Sequence, residues 1–142
     1  MVLFRCPVCR SPLVDCGNHV ACVNHHSFDR AAEGYYHLLP SNKMHAKLPG
    51  DSKEMVAARR AFLNAGYYQL FSDGINDAAA KAIAGIKSPV ILDAGCGEGY
   101  YTARLKQALS EQRSDARIAG FDISKAACLL YTSPSPRDGL LS

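Results

Sequence analysis

No stretch of this 142-residue sequence approaches the ~20 consecutive apolar residues that a membrane-spanning helix needs. The opening, MVLFRCPVC, has too short an apolar run and too much cysteine for a secretory signal. The expectation is a soluble, cytoplasmic protein. Surplus charge is also scarce: 16 Lys+Arg against 13 Asp+Glu leaves +3. That surplus sits in residues 1–70, with eight basic and five acidic side chains, whereas residues 71–142 carry eight of each. All five histidines also lie in the first half. A basic, His-rich half suits a polyanionic partner, and it equally suits a scatter of solvated charges. No G-K-[ST] follows any glycine-rich turn, which excludes a P-loop. With 48% hydrophobic and 20% charged residues, the composition is that of a globular chain with one modest domain, or a small one and part of another.

Four of the six cysteines fall within the first 22 residues: Cys6, Cys9, Cys16 and Cys22. In a chain read as cytoplasmic, their spacing suits a metal better than disulfides. Cys6-x2-Cys9 is followed after twelve residues by Cys22-x3-His26, two short elements able to close a tetrahedron around one Zn²⁺. Spacing alone leaves His25 and His26 open as the fourth ligand, and leaves Cys16 as a spare thiol. Four protein ligands leave no position for water, so the site is structural. Pro7 stiffens the first knuckle, Ser11-Pro12 marks a turn, and HVACV alternates as a short strand.

Phe28, Tyr35, Tyr36, Leu38 and Leu39 follow, placed to cover this module or to begin a linker. Pro49-Gly50 then marks a turn, and Asp51 or Ser52 is an N-cap, with Asp51 and Glu54 at capping-box spacing. Met55, Ala58, Phe62 and Leu63 recur at helical spacing, and Gly66 is a stop. Arg59 and Arg60 on this helix read either as a solvated face or as phosphate contacts. A second helix, FSDGINDAAAKAIAGI, offers Ala78, Ala79, Ala82, Ile83 and Ile86 as a buried face and ends before Ser88-Pro89.

Val90-Ile91-Leu92 reads as a buried parallel strand with Asp93 at its carboxyl end. Gly95, Gly97 and Gly99 form a turn into the helix YYTARLKQAL. The spacing G-x-G-x-G is a poor fit to the dinucleotide fingerprint, which disfavours a nicotinamide enzyme. A second apolar run, RIAGFDIS, ends in Asp122, 23 residues after Gly99. An acid at that place can bind the two hydroxyls of a ribose, so the combination indicates an adenosine-bearing cofactor.

These residues resemble the first two motifs of class I S-adenosylmethionine-dependent methyltransferases. CPVC…C…HHSFDRAAEGYYHLLP, PGDSKEMVAARRAFLNAGYY and LDAGCGEGYYT together are similar to one family, the large-subunit ribosomal RNA guanine-N1 methyltransferases of RlmA type, over roughly residues 3 to 127. The fold the resemblance implies is α/β: a small N-terminal zinc-binding module plus the first part of a Rossmann-like class I methyltransferase domain. It implies zinc on Cys6, Cys9, Cys22 and His26. It implies S-adenosylmethionine at Tyr68, Asp93, Gly95, Gly97, Gly99, Tyr101, Thr102 and Asp122. The implied substrate is N1 of a guanine in a large-subunit rRNA hairpin, and a homodimer is left open. No residue stands out as the base for the N1 proton, so catalysis would rest mainly on positioning. Tyr35, Tyr36, Tyr67 and Tyr100 are candidates to stack on a splayed base, each with core packing as its alternative.

The resemblance stops near Ala127. A class I sheet has about seven strands, and two are found here. The remaining CLLYTSPSPRDGLLS breaks the expected helix and resembles a translated sequencing-adapter tail, so Cys128–Ser142 is expected to be foreign to the protein. The expected division is a zinc module over 1–40, a helical linker or cap over 41–88, the opening of the methyltransferase domain over 89–127, and the tail. A chain so divided is expected not to catalyse methyl transfer by itself. The alternative reading is a non-catalytic zinc-ribbon RNA-binding protein, which leaves Asp93, the glycine turn and Asp122 without a purpose.

Overall fold

The computed structural model describes residues 2–39, 50–112 and 115–131, and the chain divides into two compact units, the second beginning at Gly50. The tail beyond Tyr131, and Pro49 of the expected turn, lie outside the described residues.

The first unit is a three-stranded antiparallel sheet, β1 (Leu13–Asp15), β2 (His19–Cys22) and β3 (Ser27–Asp29), in that order. The alternation of HVACV is realised in β2, where Val20 and Cys22 turn inward and pair with Phe28 and Leu13 respectively. The core is Cys6, Leu13, Val20 and Cys22, with Phe4, Phe28, Tyr36 and Leu38 packed against it. Asp15 accepts the Gly17 N–H at 2.9 Å and the Tyr36 hydroxyl at 2.9 Å, pinning the β1–β2 turn to the segment after β3. Those two bonds, the backbone one foremost, hold the Asp15 carboxyl below its ordinary range. A core of four side chains cannot offset the chain entropy of such a unit, so a further staple is required.

The second unit carries α1 (Lys53–Asn64), α2 (Gln69–Ile83), β4 (Val90–Ala94), α3 (Tyr100–Glu111), β5 (Arg117–Phe121) and α4 (Lys125–Tyr131). Strands β4 and β5 are parallel, with Val90 opposite Arg117 and Ala94 opposite Phe121, and α3 links them. The helices α1 and α2 thus belong to the same compact unit as these strands.

Four local expectations differ from the structure. The capping residue of α1 is Ser52, whose hydroxyl accepts the Met55 N–H at 3.3 Å; Asp51 turns instead to Arg59, so no box forms with Glu54. The buried face of α1 is Val56 and Leu63, while Met55 and Phe62 are exposed. In α2 the buried positions are Ser72 and Asn76 rather than the Ala/Ile row, because α2 meets α3 through Arg104, which donates to Ser72 Oγ at 2.9 Å and pairs with Asp73. Strand β4, expected to be buried throughout, is open on one face: Val90 and Leu92, with Phe121 of β5 on the same side, are exposed. Among the described residues no helix is long and apolar enough to cross a membrane.

Candidate functional site

The first site lies in the small sheet. One ligand atom each from Cys6, Cys9, Cys22 and His26 converge so that all four lie within 4.8 Å of one another. His26 Nδ1 is 3.3 Å from Cys22 Sγ and 3.7 Å from Cys6 Sγ, and the Cys9 and Cys22 sulfurs are 3.6 Å apart. A tetrahedron with Zn–S of about 2.3 Å and Zn–N of about 2.0–2.1 Å has edges of roughly 3.5–3.8 Å, so these spacings fit zinc. The knuckles come from backbone geometry. Arg10 and His25 take left-handed angles of 63° and 62°, and the Arg10 and His25 N–H groups close back on the carbonyls of Cys6 and Cys22. The turn that holds His25 brings His26, its neighbour, into the cluster. Hydrogen bonds from the Ser11 hydroxyl and backbone, then from Asn24, lower Cys9 to about 5, whereas burial raises Cys22. A depressed thiol presents the thiolate that a metal takes. Cys16 is exposed and outside the cluster.

The second site is the turn after β4. Gly95, Gly97 and Gly99 all adopt left-handed angles, of 78°, 57° and 82°, which side chains rarely tolerate. The N–H groups of Gly95 and Cys96 donate to the Phe121 carbonyl at 2.8 and 3.1 Å, locking the turn to the end of β5. The Gly97 N–H donates to Asp122 Oδ2 at 2.9 Å, and the Ser124 N–H to Asp122 Oδ1 at 2.7 Å. Each carboxylate oxygen keeps a second acceptor direction for a ligand hydroxyl. Asp93 Oδ2 accepts the Thr102 hydroxyl at 2.5 Å, which fixes the acid at the strand end. Asp93, the three glycines, Thr102 and Asp122 therefore share one edge.

Tyr68 starts α2 and is reached from this edge through rings: Tyr68 lies edge-on to Phe71 at 6.0 Å, and Phe71 edge-on to Tyr101 at 6.2 Å. Burial, then the neighbouring Tyr100, Tyr68 and Glu98, raise Tyr101. Of the stacking candidates, Tyr67 stacks on Phe62 at 5.0 Å and Tyr100 packs on Tyr101 at 5.1 Å; Tyr36 belongs to the small unit's core.

The turn passes a test of fit for an adenosine-bearing cofactor. A Cβ on Gly95 would meet nothing within 4 Å, so the backbone there is open to close approach. Glu98 Oε1 is buried and, among the described residues, has no hydrogen-bond partner, which suits a donor group of a ligand. Cys96 in the same turn is no nucleophile: burial, then the charges of Asp93 and Asp122, push its thiol up to about 12.

Ser124 was not singled out in the sequence. It is 2% exposed, receives the Ala127 N–H at 3.2 Å as the cap of α4, and donates its hydroxyl to the Asp51 carbonyl at 2.9 Å. Serine immediately before the helical KAA was the available signal.

Residues 4–47 match the family model described as RlmA, N-terminal, and residues 87–129 match the model of a methyltransferase domain. The chain is 36% identical over 152 residues to a sequence assigned as a 23S rRNA (guanine-N(1)-)-methyltransferase of Micromonospora griseorubida, covering 96% of this chain and 49% of the relative. It is 34% identical over 134 residues to the 23S rRNA (guanine(748)-N(1))-methyltransferase of Streptomyces fradiae, covering 94% and 45%. A Bacillus subtilis sequence of the guanine-N(1) type is 26% identical over 141 residues.

Fold, metal cluster and glycine turn together define a zinc ribbon followed by a methyltransferase domain of α/β construction. Residues 4–47 are thus of the RlmA N-terminal type and residues 87–129 of the methyltransferase type, and over nearly its whole length the chain is similar to curated 23S rRNA guanine-N1 methyltransferases. It spans about half the length of the curated relatives it matches.

Proposed function

We propose that this chain contributes the zinc ribbon and the cofactor-cradling edge of an S-adenosylmethionine-dependent enzyme that methylates N1 of a guanine in large-subunit rRNA. The observation that carries the reading is the Asp93–Gly97–Asp122 edge in a chain that also holds the Cys6, Cys9, Cys22, His26 cluster. When bound, S-adenosylmethionine supplies an electrophilic methyl group on a sulfonium. Asp122 would take the ribose hydroxyls, the turn at Gly95, Gly97 and Gly99 would admit the ligand to the backbone, and Thr102 keeps Asp93 in place. Tyr68 and Tyr101 would wall the pocket. Cys6, Cys9, Cys22 and His26 would hold zinc in a closed, structural site. The division into a module over 1–40, a helical cap over 41–88 and the domain opening over 89–127 belongs to the same proposal.

An rRNA hairpin is the favoured substrate element, because a paired guanine hides N1 whereas a loop can splay it. Such a substrate is met in the cytoplasm. A homodimer is part of the same proposal.

The test is methyl transfer from S-adenosylmethionine to protein-free large-subunit rRNA, read as reverse-transcription stops at N1-methylguanine. A reading frame of the relatives' length that opens with these residues is expected to give stops at a guanine, and the 142-residue chain alone is not. RNA binding by both, with stops from neither, would favour the non-catalytic zinc-ribbon reading.

A further inference from the structure

The glycine turn is crowded with negative charge. Asp93 and Asp122 flank it, Glu98 lies within it, and Asp51 is tied to the same edge through Ser124. A ligand that brings a carboxylate of its own to this edge meets four like charges, each disfavouring it in a partly desolvated site. One cation is placed to answer them. Arg59, from α1, forms an ion pair with Asp51 through Nη2, and its Nη1 lies 3.8 Å from the point where a Cβ on Gly97 would stand.

The placement is held from both ends. Gly50 packs so closely on Ser124 that a Cβ would lie 2.7 Å from the Ser124 Cβ, and the Ser124 hydroxyl holds the Asp51 carbonyl. Asp122, through its bond from the Ser124 N–H, belongs to the same brace. The start of α1 is thereby fixed beside the turn, and Arg59, two helical turns along from Asp51, reaches back over Gly97. A guanidinium offers five donors in a rigid fork, so pairing with Asp51 leaves further N–H groups for a second carboxylate.

We infer that Arg59 is the residue that recognises the α-carboxylate of the cofactor's amino-acid end, and that Asp51 is its positioning residue. The inference rests on the cofactor reading proposed above and adds to it a specificity for the carboxylate. Although its side chain is about half exposed, Arg59 is held by Asp51 over the glycine rather than extended into solvent. An arginine serving RNA phosphates would be directed away from a turn ringed by carboxylates.

The test measures binding of S-adenosylmethionine and of its decarboxylated analogue to the zinc-loaded 142-residue chain, unchanged and as Arg59→Ala, Arg59→Lys and Asp51→Asn. Loss of a charge-assisted, bidentate contact corresponds to about tenfold to a hundredfold in affinity. The unchanged chain is expected to prefer the carboxylated ligand by about that factor. Arg59→Ala is expected to abolish the preference while leaving affinity for the decarboxylated analogue within about twofold, and Arg59→Lys to restore part of it. Asp51→Asn is expected to lie between. A mere folding defect would weaken both ligands together, so equal loss of both overturns the inference. So does an unchanged preference in Arg59→Ala. An effect confined to rRNA affinity, with a salt dependence shallower by about one ion, assigns Arg59 to phosphate and also overturns it. If the unchanged chain binds neither ligand, the cofactor reading itself fails, and the inference with it.

Discussion

The Gly97 N–H donates to the carboxylate of Asp122 at 2.9 Å, so the turn that follows β4 is tied to the end of β5 by an acid that ordinarily reads only as a ligand contact. The same carboxylate accepts the Ser124 N–H at 2.7 Å. Asp122 thus shapes the glycine turn and the start of α4. Asp122→Ala removes both bonds, and a hydrogen bond to a charged group is worth about 1.5–3 kcal/mol. A loss of roughly 2–4 kcal/mol in the second unit is expected from urea unfolding followed by tyrosine fluorescence. Asp122→Asn keeps one acceptor oxygen and is expected to lose less than half of that.

Zinc is the staple of the first unit. Its core of Cys6, Leu13, Val20 and Cys22 includes two of the ligands, so metal and core are one structure. Metal binding supplies about 10–16 kcal/mol in zinc-finger peptides, far more than so small a core. One zinc per chain is expected by elemental analysis. Chelation, or His26→Ala, is expected to abolish hydrogen-exchange protection in Leu13–Asp15, His19–Cys22 and Ser27–Asp29 while the helices from Lys53 onward keep theirs. Unchanged protection in the three strands after complete metal removal would refute this.

Two glycines separate strain from crowding. Gly50 and Gly17 both hold left-handed angles, 81° and 90°, but a Cβ on Gly50 would strike Ser124 whereas one on Gly17 meets nothing within 4 Å. Backbone strain alone costs about 1–2 kcal/mol, and overpacking adds about 1–3. Gly17→Ala is expected to destabilise its unit by ~1–2 kcal/mol and Gly50→Ala its own by ~2–5 kcal/mol, by denaturant midpoints. Equal effects would show that the contact between Gly50 and Ser124 is not tight.

The buried thiol of Cys96 predicts a pH dependence. Burial, then Asp93 and Asp122, raise it to about 12 from an ordinary value near 9, and burial raises Cys128 in the same direction. The folded form therefore favours the protonated thiol. Its contribution is complete below pH ~9 and is lost as pH rises from there towards 12, because the unfolded chain releases the proton first. Stability of the second unit is expected to fall as pH rises from about 9 towards 12, and Cys96→Ala to remove the larger part of that slope. A slope unaltered in Cys96→Ala would assign it elsewhere.

Much of this was legible in the sequence because its signals are local. Two cysteines on one knuckle, Cys22 and His26 four apart, and glycines alternating after Asp93 each constrain a few adjacent backbone angles. The choice between His25 and His26 was not local: it depends on the left-handed turn at His25, which a β-hairpin enforces. The helix faces depart from the apolar periodicity for a related reason, Leu63 excepted. Periodicity counts apolar side chains, and in α2 the partner is the Arg104 guanidinium, which favours Ser72 and Asp73 over alanine. In α1, Phe62 leaves the helix packing to join Tyr67 and Tyr68. The brace through Gly50, Asp51 and Ser124 spans more than 70 residues, and no window of sequence contains it.

The central claim is that β4, β5 and the glycine turn form a usable cofactor edge in a chain that also carries a zinc ribbon. Calorimetric titration of the 142-residue chain with S-adenosylmethionine, with zinc content determined on the same sample, tests it most directly. One zinc per chain together with saturable binding of one S-adenosylmethionine, competed by S-adenosylhomocysteine and not by NAD, is the predicted result. Stoichiometric zinc with no heat of cofactor binding would contradict it, leaving a folded ribbon attached to an edge that holds no ligand.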